Sequence, residues 1–136
     1  MIRDALWPYP EDLLIATKVG PGTDASGAWI EATTPELLRA QVAENLRRLG
    51  RDHLDLVNLR IVKRPGRDSI AERFGYLADL RDKGLIRHLG LSNVRPDHLA
   101  EAQVIAPVAR GGTCWPLRAP ATRNTWNRTS PPARCA

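Results

Sequence analysis

The chain has 136 residues, 43% of them hydrophobic, with 20 Lys+Arg against 15 Asp+Glu and a formal net charge of +5. That length suits one domain, and the balance gives no reason to read the chain as disordered or fibrous. No apolar run approaches the ~20 residues that span a bilayer, and the N-terminus has no signal-peptide core, so the expected location is the cytoplasm, with no membrane partner.

Leu13 to Thr17 is a short apolar run ending at Lys18 and followed by the turn-rich Gly20-Pro21-Gly22-Thr23-Asp24, which reads as a buried strand and a loop. Thr34-Pro35-Glu36 opens a helix: the threonine can cap, the proline suits the first helical position and the glutamate favours the positive end. Leu38, Val42, Asn45, Leu46 and Leu49 then share one face, and Gly50 stops the helix. Leu54 to Val62 is nearly continuous apolar sequence broken by Asp55, Asn58 and Arg60, the pattern of a strand covered on both faces. Ser69 can cap a second helix with Ile70, Phe74, Leu77 and Leu80 on one face and Gly84 at its end. Ile86 to Leu91 reads as a third strand. Pro96 and Asp97 begin a third helix carrying Leu99, Ala102 and Ile105, which Pro107 closes. Three alternations of strand and helix point to an α/β protein with a parallel sheet or barrel.

The charge is uneven. Residues 1–109 hold 15 basic and 15 acidic side chains, while residues 110–136 hold five arginines, no acid, both cysteines and two of the four tryptophans. The pI near 9.9 therefore describes a join between two unlike compositions. No helical or strand period arrays the tail's arginines, so no nucleic-acid partner is expected. Cys114 and Cys135 form no CxxC, and His53, His88 and His98 make neither a ligand spacing nor a triad; they read as surface or satisfied structural residues, and no metal site is expected.

Three strand-end segments stand out together. They are Ile15-Ala16-Thr17-Lys18, Leu54-Asp55-Leu56-Val57-Asn58-Leu59-Arg60 and Gly90-Leu91-Ser92-Asn93-Val94, with Leu46-Arg47-Arg48-Leu49-Gly50 ahead of the second. From about Ile2 to Val108 the chain resembles the aldo/keto reductase family. The resemblance implies part of a (β/α)8 TIM barrel, about three βα units corresponding to the family's third to fifth strands. It implies NADPH-dependent reduction of an aldehyde or ketone, with a small carbonyl compound as substrate. A closed barrel needs roughly 200 residues or more, so the barrel is expected to be unclosed, with edges that invite self-association.

By that resemblance Lys18 and Arg60 are catalytic. Lys18 holds a positive charge beside a tyrosine hydroxyl, which lets the tyrosine protonate the carbonyl; as a bare sequence feature it is also a lysine that reaches from a strand end to water. Arg60 stands where most of the family has histidine. It is a permanent cation able to steady a developing alkoxide, though unable to share a proton; a strand-end arginine paired to a carboxylate is the plainer reading. Asn58-Leu59-Arg60 is similar to the pyridoxal-reductase-like bacterial branch. Ser92 and Asn93 match the pair that hydrogen-bonds the nicotinamide carboxamide, and the same residue types also make simple turns.

The family's catalytic tyrosine and aspartate lie well upstream of the lysine. Seventeen residues precede Lys18 here, and Tyr9 sits in Trp7-Pro8-Tyr9-Pro10, which is not that motif. The family's phosphate-binding loops are also missing in frame. A shifted reading of the codons from Cys114 onward permits Leu-Ala-Ala-Pro-Gly-Thr-Arg-Asn-Pro-Glu, similar to the family's C-terminal cofactor loop. Residues 1–109 are accordingly expected to form a reductase-like partial barrel, and 110–136 an out-of-frame basic tail. Three functions stay open: a truncated oxidoreductase without turnover, a non-enzymatic product or self-associating half-barrel, and, least supported, a nucleic-acid-binding tail.

Overall fold

A computed structural model of the chain describes residues 2–63 and 65–106. The expected boundary at Ala109, the basic tail, Pro107 and both cysteines lie outside the described residues.

The elements run α1 (Ile2–Leu6), β1 (Ala16–Val19), β2 (Pro21–Thr23), β3 (Trp29–Glu31), α2 (Pro35–Leu49), β4 (Leu54–Arg60), α3 (Ala71–Asp82), β5 (Ile86–Ser92) and α4 (Pro96–Ile105). Strands β1, β4 and β5 form a parallel sheet in that order. Each is followed by a helix, giving the three expected βα units as an open sheet rather than a closed barrel. A two-stranded antiparallel hairpin, β2–β3, stands between β1 and α2.

Capping chemistry fixes α2 as expected. Thr34 accepts a hydrogen bond from the Leu37 N–H, Pro35 opens the helix, and Gly50 ends it in the left-handed region at φ 66°. Leu38, Val42 and Leu49 are buried. They meet Val19, Val57 and Leu59 of the sheet, and Phe74, Leu77 and Leu80 of α3 complete the same core. Burial of this kind stabilises by about 1.5–3 kcal/mol per large side chain.

The structure departs from the sequence expectations in four places. The first strand begins at Ala16 rather than Leu13, because the Ile15 N–H is bonded to the Asp55 carboxylate at 3.0 Å instead of entering the ladder. The second strand ends at Arg60, not Val62: the Ile61 N–H still bonds to the Ser92 carbonyl at the end of β5, but the Val62 N–H turns away to the Glu31 side chain. The segment read as a simple turn after Lys18 contains β2, closed at its base by the Ala32 N–H on the Gly20 carbonyl at 2.7 Å.

The fourth concerns the later helices. Ile70 rather than Ser69 occupies the N-cap position of α3, but Ser69 still serves the helix start: its hydroxyl oxygen accepts the Ala71 N–H at 3.0 Å while donating to Glu101 of α4, whose other oxygen accepts the Ile70 N–H at 2.9 Å. A carboxylate at a helix N-terminus satisfies otherwise orphaned N–H groups. In α4 Ala102 is buried and Ile105 half-buried as expected, but Leu99 is 51% exposed.

Candidate active site at the C-terminal edge of the sheet

Register decides which side chains meet. Lys18 is level with Asn58, and Asn58 with Gly90; Arg60 is level with Ser92. Side chains alternate along a strand, so these residues share one face, opposite the face where Val19, Val57 and Leu59 meet the helices. Adjacent strands lie about 4.8 Å apart and two residues rise about 6.6 Å, so the Lys18 and Arg60 backbones are roughly 8 Å apart. Both side chains are long enough to reach a common point above the sheet. Both are exposed, and among the described residues neither has an ion-pair partner.

In the sequence Asn58 interrupts an apolar run and belongs to the Asn58-Leu59-Arg60 segment, neither of which assigns its side chain a place in the site. In the fold its carboxamide lies over Gly90: a Cβ there would stand 2.2 Å from the Asn58 oxygen. Glycine at 90 makes room for a polar group between the lysine and the fifth strand, and Asn58 makes no side-chain hydrogen bond among the described residues.

Asn93 follows β5 in the left-handed region at φ 55°, a conformation asparagine tolerates better than most residues. Its amide nitrogen donates to the Ile61 carbonyl at 2.7 Å and the Lys63 carbonyl at 3.0 Å. Both donors are thus spent on the loop after Arg60, leaving the side-chain oxygen as an acceptor. The Ser92 hydroxyl has no partner among the described residues. The two free groups are a hydroxyl and an acceptor on consecutive residues, the chemical types that suit a carboxamide with one N–H and one carbonyl to offer.

The tyrosine and histidines to which the sequence assigns no site role are placed as follows. The Tyr9 hydroxyl donates to the Leu49 carbonyl at 2.9 Å, and the Arg51 guanidinium lies 4.7 Å over its ring. That is the N-terminal end of the sheet, a strand length of about 20 Å from Arg60. His88 is exposed on the open face and His53 half-buried beside Asp52. His98 is buried, its Nδ1 accepting from the Arg95 N–H and its Nε2 donating to the Asp68 carbonyl. No group of three or more metal-ligating side chains forms among the described residues, and no helix among them is long and apolar enough to cross a membrane.

Parallel βα units with polar and charged groups at the C-terminal strand ends are part of the usual layout of a TIM-barrel enzyme site. Comparison with known proteins agrees. A profile of the aldo/keto reductase family matches residues 1–125, and the chain belongs to that family of oxidoreductases. It is similar to pyridoxine 4-dehydrogenase of Escherichia coli (strain K12), 43% identical over 112 residues that cover 79% of this chain and 39% of the relative. It is 31% identical to the NADH-specific methylglyoxal reductase of the same organism, covering 74% of this chain and 34% of that protein. Among solved structures, the glycerol dehydrogenase of Gluconobacter oxydans matches with a TM-score of 0.65 and 30% identity, over 79% of this chain and 34% of that one. An aldo-keto reductase of Bacillus halodurans in its holo form matches at 0.63 and 29%, over 78% and 35%. The chain therefore spans well under half the length of the relatives it matches.

Proposed function

We propose that this chain is a portion of an NADPH-dependent carbonyl reductase acting on a small aldehyde or ketone, and that by itself it binds without turning over. The observation that carries the reading is the shared open face, with Lys18, Arg60 and Ser92 side by side at the strand ends and Asn93 immediately after.

Ser92 and the Asn93 side-chain oxygen would hold the nicotinamide carboxamide, which their unspent groups fit. When bound, NADPH supplies the hydride. Arg60 donates N–H to the substrate's carbonyl oxygen and offsets the charge that grows there. Lys18 adds a second positive charge about one row deeper. Arginine on this face cannot give up a proton, and both tyrosines of the chain lie off it: Tyr9 is spent at the far end, and Tyr76 belongs to α3. Without a tyrosine on this face, turnover by this chain alone is not expected.

The test is titration of purified protein with NADPH and an aldehyde panel including pyridoxal, following the amide signals of Ser92 and Asn93 by NMR and nicotinamide absorbance in parallel. Shifts at Ser92 and Asn93 without absorbance loss are expected. Turnover abolished by Lys18→Ala would overturn the inactivity, and no shift at all would overturn the cofactor reading. In that case the self-associating half-barrel is favoured. Its own observation is that β1 and β5 are both unpaired edges among the described residues, and concentration-dependent sedimentation would reveal it.

A further inference from the structure

We infer that Glu31 is a positioning residue for Arg60, acting through the backbone step that follows it; the inference rests on Arg60 being the substrate-facing cation proposed above. Arg60 is the last residue of β4, so its place depends on how residues 61–63 are held once the ladder ends. From the β5 side they are held by the Ser92 carbonyl, which accepts from the Ile61 N–H at 3.2 Å, and by the Asn93 amide on the Ile61 and Lys63 carbonyls. From the β1 side one side chain does this: Glu31, whose Oε1 accepts the Val62 N–H at 2.6 Å, thirty-one residues away in sequence.

Glu31 is itself placed by the hairpin. It pairs with Pro21, directly after Gly20. Gly20 is forced to be glycine, since a Cβ would stand 2.6 Å from the Arg60 carbonyl and φ is +106°. Gln41 of α2 ties the hairpin base, accepting from the Gly20 N–H at 2.7 Å and donating to the Pro21 and Ala32 carbonyls. The chain leaving Lys18 and the chain leaving Arg60 are thereby joined through a turn, a short strand pair and one carboxylate. Behind Glu31 lies a cavity of about 230 Å³ that Arg73, Lys63 and His98 also line. The second carboxylate oxygen of Glu31 is buried without a hydrogen bond, with Arg73 Nη1 at 3.9 Å. The bond to Val62 is thus the short link and the arginine the loose one.

A brace of this kind predicts effects on Arg60 that do not depend on catalysis. In the full chain, Glu31→Ala should speed Val62 amide exchange about tenfold or more, as expected when a charge-assisted bond is lost, and should move the Arg60 Nε–H signal. Glu31→Gln keeps an acceptor oxygen and should restore both signals to near wild type. Arg73→Met should leave them in place. If Glu31→Ala does not fold, Glu31→Asp, one methylene short of Val62, reads the same way. Arg60 unmoved while Val62 exchange rises would overturn the inference, as would Arg73→Met reproducing the Glu31→Ala pattern. Failure of the reductase reading shows separately, as an Arg60 signal indifferent to NADPH and aldehyde.

Discussion

Asp55→Ala removes the buried carboxylate that ties three segments together at the N-terminal end of the sheet. Asp55 is 3% exposed. Its Oδ2 accepts from the Ile15 N–H at 3.0 Å and from Arg51 at 2.5 Å, and Arg51 in turn lies over the Tyr9 ring. Truncation leaves the Ile15 amide without its partner and Arg51 without its counter-charge. Breaking a buried ion pair from one side costs about 3–5 kcal/mol. The Arg51 side chain keeps 17% exposure and can be partly rehydrated, which places the effect at the lower end, about 3 kcal/mol, or roughly 150-fold in the folded-to-unfolded ratio. Urea unfolding followed by far-UV circular dichroism measures it, provided the slopes of mutant and wild type agree. Asp55→Asn should fall between, since an amide oxygen still serves Ile15 but offers Arg51 no charge. A loss under about 1 kcal/mol for Asp55→Ala, the size found for exposed pairs, would refute the reasoning.

Two further outcomes follow from local geometry. Gly90→Ala places a Cβ 2.2 Å from the Asn58 oxygen, so Asn58 must rotate off the fifth strand. An overpacking cost of about 1–3 kcal/mol is expected, and the Gly90→Ala/Asn58→Ala double variant should recover most of it in the same unfolding assay. On acidification, α2 and the α3–α4 junction should weaken together. Hydrogen bonds from Arg47, then Arg48, hold the Glu44 carboxyl at about 2 against an ordinary value of 4.5. The Ser69 hydroxyl, then the Ile70 N–H, lower Glu101. Because both groups are depressed in the folded state, their contribution is present above the unfolded value and fades as pH falls from there through the folded one. Carboxyl titration by NMR checks it, and added salt should shrink the Glu44 effect because that cluster is exposed.

What the sequence determined by itself is what short-range pattern encodes. The spacing of Leu38, Val42 and Leu49, with Thr34 before and Gly50 after, defines α2, and the alternation of three strands with three helices defines the α/β class. The strand-end segments carried the family, and with it Lys18, Arg60, Ser92 and Asn93 as residues to look for. What only the tertiary structure decided lies at separations of some thirty to forty residues: that Ile15 bonds to Asp55 and so shortens β1, that Glu101 joins Ser69 at the start of α3, and that the Asn93 amide is spent on the loop after Arg60. A hairpin was hidden in Gly20-Pro21-Gly22 because its pairing is short and its residues are those of turns. The place of Asn58 in the site was hidden because neither an apolar run nor a motif says what lies alongside it until register sets it beside Lys18 and over Gly90. Periodicity assigns a residue to a face, since it repeats every two or 3.6 positions along one element. Which residues share that face across elements is set by strand register and by side-chain bonds to distant backbone, and those exist only once the chain has folded.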